Sequence, residues 1–263
     1  MDRPRADKWF YATATSIFPY QVALKKIVAM ITEEILKVSR STGKDILVVF
    51  GDFLDYCIDC FTPPRPIPDG IDKNNVFFNA FASLQLEYLK GINNHGWCDP
   101  LGDVFMDLTK GIQLYRGQFF TPPSVCDMMC DVTMDSIAYT TKTNCGAFGE
   151  RIICNDPACG SSRNLIALAS KYIDKPRKEL PYFIGEDIDA TCCKMSAINM
   201  CVHGIPGEVV CHDALAEPDT LRFGYVINET TYPIYTGVPS IRRFEDERRF
   251  VLFNTRKSNK HEE

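Results

Sequence analysis

No stretch of the chain approaches the roughly 18 consecutive apolar residues that a membrane-spanning helix needs. The charged opening, Met1 to Lys8, is not followed by the apolar segment of a signal peptide. Both absences predict a soluble, unexported protein with no membrane partner. Positive charge is not in excess either: 29 Lys and Arg against 34 Asp and Glu leave a net charge of −5. That balance argues against tight non-specific nucleic-acid binding by the surface as a whole, so a nucleic-acid substrate would need a local patch or a partner. No Ser/His/Asp or paired-carboxylate arrangement marks a hydrolase.

What is present describes a globular protein: 263 residues, 45% apolar and 24% charged, enough for one or two domains. Twelve cysteines in a chain this long and without a leader fit a reducing cytoplasm better than a disulfide framework. Cys57 and Cys60 with His95 and Cys98 have zinc-like spacing. The first two, however, share one face of an expected helix, where thiols are commonly buried, and no metal is expected.

Apolar residues at helical spacing over residues 20–37, the apolar stretch Ile46 to Phe61, and Val76 to Leu89 predict helices. The proline-rich 62–70 connects the second to the third. Residues 1–115 are therefore expected to form a helical N-terminal domain. From residue 116 to 263 the texture alternates. Short strands are expected at 151–155, 181–185, 208–211 and 223–227, with helices at 164–172 and 190–202. This is the pattern of an α/β, Rossmann-like domain with a parallel-rich sheet and a ligand crevice at its C-terminal edge. Only 36 residues follow Ile227, too few for a seven-stranded sheet, so the sheet is abbreviated or completed by something else.

The densest chemistry is Asn155-Asp156-Pro157-Ala158-Cys159-Gly160-Ser161-Ser162, where a strand ends and a helix opens. Small residues there let backbone N–H groups approach a ligand, and an acid at the strand tip can meet a cationic or hydroxyl-bearing one. Gly185-Glu186-Asp187-Ile188-Asp189 ends the next strand with acids, and Asp213 follows the strand after that. Three successive strands each ending in an acid point to a shared crevice, with a solvated turn as the alternative for any one of them alone.

These segments, with Asp99-Pro100-Leu101-Gly102-Asp103, Gly117-Gln118-Phe119-Phe120-Thr121-Pro122 and the later Met195, Asn199, His203 and Gly204, resemble the S-adenosylmethionine-dependent adenine-N6 DNA methyltransferases. The likeness is to the modification subunits of type I restriction systems in particular, over residues 99 to 213. It implies S-adenosyl-L-methionine as cofactor. Phe120 and Thr121 would lie beside its methionine moiety, and Asp156, Ala158 and Gly160 near its amino and carboxylate groups. Asp187 would bind the ribose, Ile188 would pack on the adenine ring, and Asp213 would accept from the adenine amine. It also implies DNA as substrate, with a specificity subunit or a second methyltransferase subunit as partner, because no target-recognition domain is expected within this chain. One departure is Ser162-Arg163 where the family usually has glycines, which requires Arg163 to point away from the cationic cofactor.

The catalytic turn departs further. The family holds the flipped adenine with an Asn/Asp-Pro-Pro-aromatic turn after its fourth strand, and here the strand 223–227 is followed by Asn228-Glu229-Thr230-Thr231-Tyr232. The resemblance makes Asn228 the amine acceptor and Tyr232 or Tyr235 the stacking ring. The alternative is a loop that has lost this chemistry, in a catalytically inactive module that works through a partner. Methylation of a small molecule or protein is a third reading. Arg242, Arg243, Arg248, Arg249, Arg256, Lys257 and Lys260 around Glu245-Asp246-Glu247 read either as a phosphate-contacting tail or as a solvated mixed-charge surface.

Overall fold

The computed structural model describes residues 7–63, 74–110, 120–137, 141–172, 180–216, 220–229 and 239–259, and their side chains except at 7–24, 94–95, 135–137 and 256–259. Four helices come first: α1 (Asp7–Thr42), α2 (Ile46–Phe61), α3 (Phe78–His95) and α4 (Pro100–Leu108). Each start or stop has a local cause. Asp45 caps α2 by accepting the Leu47 N–H at 2.8 Å. Asp99 caps α4 at the Gly102 N–H, with Pro100 in the first helical turn, and Gly96 closes α3 at φ 79°.

A fifth helix, α5 (Pro123–Ile137), leads to a two-stranded hairpin of β1 (Thr143–Asn144) and β2 (Glu150–Arg151). The main sheet then alternates with helices: β3 (Ile153–Asp156), α6 (Arg163–Ser170), β4 (Tyr182–Asp187), α7 (Ala190–Val202), β5 (Gly207–Cys211), β6 (Phe223–Ile227), β7 (Ile241–Phe244) and α8 (Val251–Asn259). Strand order is β3-β4-β5-β6-β7. The β3–β4 and β4–β5 pairings are parallel, whereas β5–β6 and β6–β7 are antiparallel. The fold is therefore mixed α/β with an abbreviated sheet. Its direction departs from the sequence expectation at one strand: β6 runs opposite to the other four. Only eleven residues, 212–222, separate β5 from β6, and so short a connection suits a hairpin rather than a parallel crossover.

One apolar core joins the first helices to the sheet. It includes Ile31 of α1, Phe50 and Phe53 of α2, Leu84 of α3, Phe183 of β4 and Ile198 of α7, none of them measurably exposed. At about 2 kcal/mol per fully buried large apolar side chain, this continuous core ties residues on both sides of position 115 into one packed body. The opposite face of the sheet is covered by α8, whose Leu252 and Phe253 pack with Phe148, Tyr182 and Ile184. Glu208 of β5 is fully buried and anchors the start of α8, accepting the Val251 and Leu252 N–H groups at 2.8 and 2.7 Å and the Tyr182 hydroxyl at 2.9 Å. Burial pushes its carboxyl up to about 7, against the pull of those donors.

Candidate cofactor crevice

Parallel strands β3, β4 and β5 end side by side, which puts Asp156, Asp187 and Asp213 along one edge at strand spacings of about 4.8 Å. The loop from β3 into α6 turns through left-handed backbone at Gly160 (φ 54°) and Ser162 (φ 68°). It is pinned to β4: the Cys159 N–H donates to the Glu186 carbonyl and the Gly160 N–H to Asp187 Oδ2, both at 2.9 Å. The other oxygen, Asp187 Oδ1, accepts the Asp189 N–H at 2.8 Å. Burial raises the Asp187 pKa, and these two N–H donors oppose the rise. Glu186 is turned away from the crevice and fully buried, held by Asn155 Nδ2 at 2.6 Å and by His212 Nε2 at 2.5 Å. That leaves Asp187, not Glu186, at the crevice.

Asp156 accepts the Ala158 N–H and Asn164 Nδ2, each at 3.2 Å. Phe120 lies directly over the loop, since a Cβ at Gly160 would sit 3.0 Å from its ring. Thr121 follows Phe120, and Arg163 Nη1 donates to its carbonyl at 3.4 Å. The structure therefore brings Phe120, Thr121, Gly160 and Asp187 together, with Asp156 and Ala158 on the same loop. Ile188 is 62% exposed just beyond Asp187. Asp213 is half-buried on the neighbouring strand end and accepts the Leu215 N–H at 3.0 Å.

Arg163 does not plug this crevice. Its Nε and Nη2 bind Asp99 Oδ2 and Asp103 Oδ1, each at 2.6 Å, and its guanidinium lies 5.5 Å from the Phe120 ring centroid. Asp99 is the hub: it also accepts Ser161 Oγ at 2.6 Å and Asn199 Nδ2 at 2.8 Å. Tyr88 hydrogen-bonds Asn199 in turn. Burial pushes Asp103 up to about 6 although Arg163 pulls it down. Sequence reasoning missed this network. The available signal was an arginine in place of a glycine together with two acids four residues apart at the start of α4.

Asn228 requires a correction. Because β6 is antiparallel, its last residue Ile227 pairs with Gly207, the first residue of β5. Asn228 is thus at the edge opposite the acids. It is 1% exposed with φ 59°, and its Nδ2 donates to the Ile205 and Cys201 carbonyls at 2.9 and 3.2 Å while Oδ1 accepts the Ser240 N–H at 3.1 Å. The expected amine acceptor is a buried bracket between the α7–β5 turn and β7. Tyr232 and Tyr235 lie outside the described residues.

His203 is a packing residue. Nε2 accepts the Cys98 N–H at 3.2 Å, Nδ1 faces the Asn199 carbonyl at 2.6 Å, and burial lowers its pKa to about 4. Cys57 and Cys60 are buried in α2, and among the described residues no three His, Cys, Asp or Glu side chains converge as a metal site. In the C-terminal basic cluster, Arg242 pairs with Glu229, Arg243 with Glu245 and Arg248 with Asp246, as on a mixed-charge surface.

A sequence model described as N-6 DNA methylase matches residues 103–261. Two solved structures resemble the chain. One, from Listeria monocytogenes, is assigned to the class I S-adenosylmethionine-dependent methyltransferases, with 12% identity over 74% of this chain and 55% of its own length and a TM-score of 0.46. The other is the methyltransferase subunit of a type I restriction-modification system from Streptococcus thermophilus, with 14% identity over 79% of this chain and 59% of its own, and a TM-score of 0.34. The chain thus spans somewhat more than half the length of either. Comparison with curated proteins finds no match.

Proposed function

Since the chain belongs to the N-6 DNA methylase family, we propose that it binds S-adenosyl-L-methionine in the crevice at the ends of β3, β4 and β5 and acts in methyl transfer to the N6 amine of adenine in DNA. The observation that carries this reading is the Gly160 turn, clamped to the Asp187 carboxylate on one side and covered by the Phe120 ring on the other. The residues present fit an adenosyl ligand. Each Asp187 oxygen keeps a free lone pair for a ribose hydroxyl, because each accepts one N–H. Exposed Ile188 offers an apolar face, and Asp213 a carboxylate one strand further on. Asp156, at the loop's entrance, is placed for a cationic amino group. The cofactor supplies an electrophilic methyl on a sulfonium; the chain orients it and, through the Asp99–Arg163 clamp, keeps a fixed guanidinium charge off the crevice.

Sequence choice and the contacts to the DNA backbone belong, in this reading, to partner subunits, in keeping with a net charge of −5 and with Arg242, Arg243 and Arg248 already paired with acids. A reducing cytoplasm is the proposed setting, which suits twelve cysteines that form no disulfide. No helix among the described residues is long and apolar enough to cross a membrane. The placement of Asn228 favours a second reading, a cofactor-binding module without catalysis of its own that acts through a partner.

Isothermal titration with S-adenosylhomocysteine tests the crevice: wild type should bind and Asp187→Ala should lose about tenfold or more, and no binding by wild type would overturn both readings. Tritiated-methyl transfer to adenine-containing DNA separates them, with incorporation expected under the first and none under the second.

A further inference from the structure

The sheet ends at β3, whose outer side is not paired with any described strand. The Tyr182 N–H donates to the Ile152 carbonyl at 2.8 Å. In a parallel ladder the backbone groups alternate sides, so Ile152, Cys154 and Asp156 turn towards β4 while the N–H and C=O of Ile153 and Asn155 turn outward. No described backbone hydrogen bond meets them there. Alongside runs a groove of about 430 Å³ lined by β3, by Met129 and Thr133 of α5 and by Leu168 of α6, reaching Asp156 and Pro157 at the mouth of the cofactor crevice. Its volume lies within the range of small-molecule sites, and its composition matches them: apolar walls with a few fixed polar groups.

We propose that this groove holds the target adenine, with its exocyclic amine donating to an outward main-chain carbonyl of β3 and its ring between Met129 and Leu168. The proposal rests on the adenine-methylation reading and supplies what that reading lacks. An adenine amine needs an acceptor near the methyl donor, and Asn228 is at the far edge of the sheet. The β3 edge offers alternating N–H and C=O groups, the pattern needed to meet a base's acceptor and amine together, and Asp156 belongs to both the groove and the crevice. Met129 is 45% exposed, an apolar surface that a stacked base would cover.

The test is a saturation-transfer NMR titration of the full chain with 9-methyladenine, the cofactor crevice first filled with S-adenosylhomocysteine so that the probe cannot occupy the cofactor's own adenine position. For a fragment of this size a dissociation constant on the order of 1 mM is expected. Probe 9-methylpurine, which lacks only the amine, should bind about fivefold more weakly. Thr133→Trp, which fills the groove from an exposed helix position, should abolish binding while the melting temperature and S-adenosylhomocysteine affinity stay at wild-type values; Met129→Trp serves if that variant does not fold. Equal binding of the two probes, or binding indifferent to both variants, overturns the assignment. Failure to bind 9-methyladenine with S-adenosylhomocysteine binding intact also overturns it, leaving the β3 edge as a strand-pairing surface and the methyltransferase reading untouched. If S-adenosylhomocysteine does not bind, the methyltransferase reading falls and this assignment falls with it.

Discussion

Replacing Asn228 with alanine should unfold the protein more easily without weakening cofactor binding. In the structure its amide makes hydrogen bonds to the carbonyls of Ile205 and Cys201 and accepts the Ser240 N–H, all of it buried. At about 1 kcal/mol per lost bond, plus about 1 kcal/mol for alanine held at a φ of 59°, the loss is about 4 kcal/mol. For a chain near this size each kcal/mol lowers the melting temperature by about 2–4 °C, so scanning calorimetry should record a fall of roughly 8–16 °C. Asn228→Gly tolerates the backbone angle and should recover about 1 kcal/mol of the deficit. Titrated well below both transitions, the alanine variant should bind S-adenosylhomocysteine within about twofold of wild type. A variant that melts with the wild type yet loses cofactor affinity or methyl transfer would refute the bracket role and return Asn228 to the chemistry.

Three other outcomes check the site. Arg163→Met strands the buried Asp99 carboxylate and should cost about 3–5 kcal/mol in urea denaturation; adding Asp99→Asn should restore part of it, and strict additivity of the two would contradict the clamp. Gly160→Ala forces a side chain at φ 54° against the Phe120 ring, so S-adenosylhomocysteine affinity should fall about tenfold or more, and an unchanged affinity would remove this loop from the cofactor site. His203 has its folded pKa lowered to about 4 from about 6.5 unfolded. Its contribution is therefore present above pH 6.5 and lost as pH falls towards 4, by up to about 3 kcal/mol. The stability difference between wild type and His203→Gln, followed by denaturant titration from pH 7 to 4, should shrink over that window; a flat difference would mean that His203 is not held neutral.

Period and punctuation told which residues form elements, but not which way every strand runs. Helix α2 is bounded by Asp45 and by the proline run after Phe61, strand β6 by its apolar five residues, and both match expectation to the residue. The direction of β6 was legible only through the short span between Cys211 and Phe223, a length argument that outweighs motif order. The error propagated because a residue's chemistry depends on which end of a sheet it occupies: Asn228 follows a strand of the right texture and ends at the wrong edge. The acids Asp156, Asp187 and Asp213 escaped that error since they follow β3, β4 and β5, which α6 and α7 join in succession, and right-handed crossovers return every such strand in the same sense. The Arg163 clamp was invisible for a different reason. Its partners Asp99 and Asp103 lie some sixty positions earlier, on α4, and only packing of the N-terminal helices against the sheet brings them beneath the loop. The same packing makes the crevice depend on residues 99–108 as much as on the strands that line it, so destabilising α4 should loosen the Gly160 turn before it unfolds the sheet.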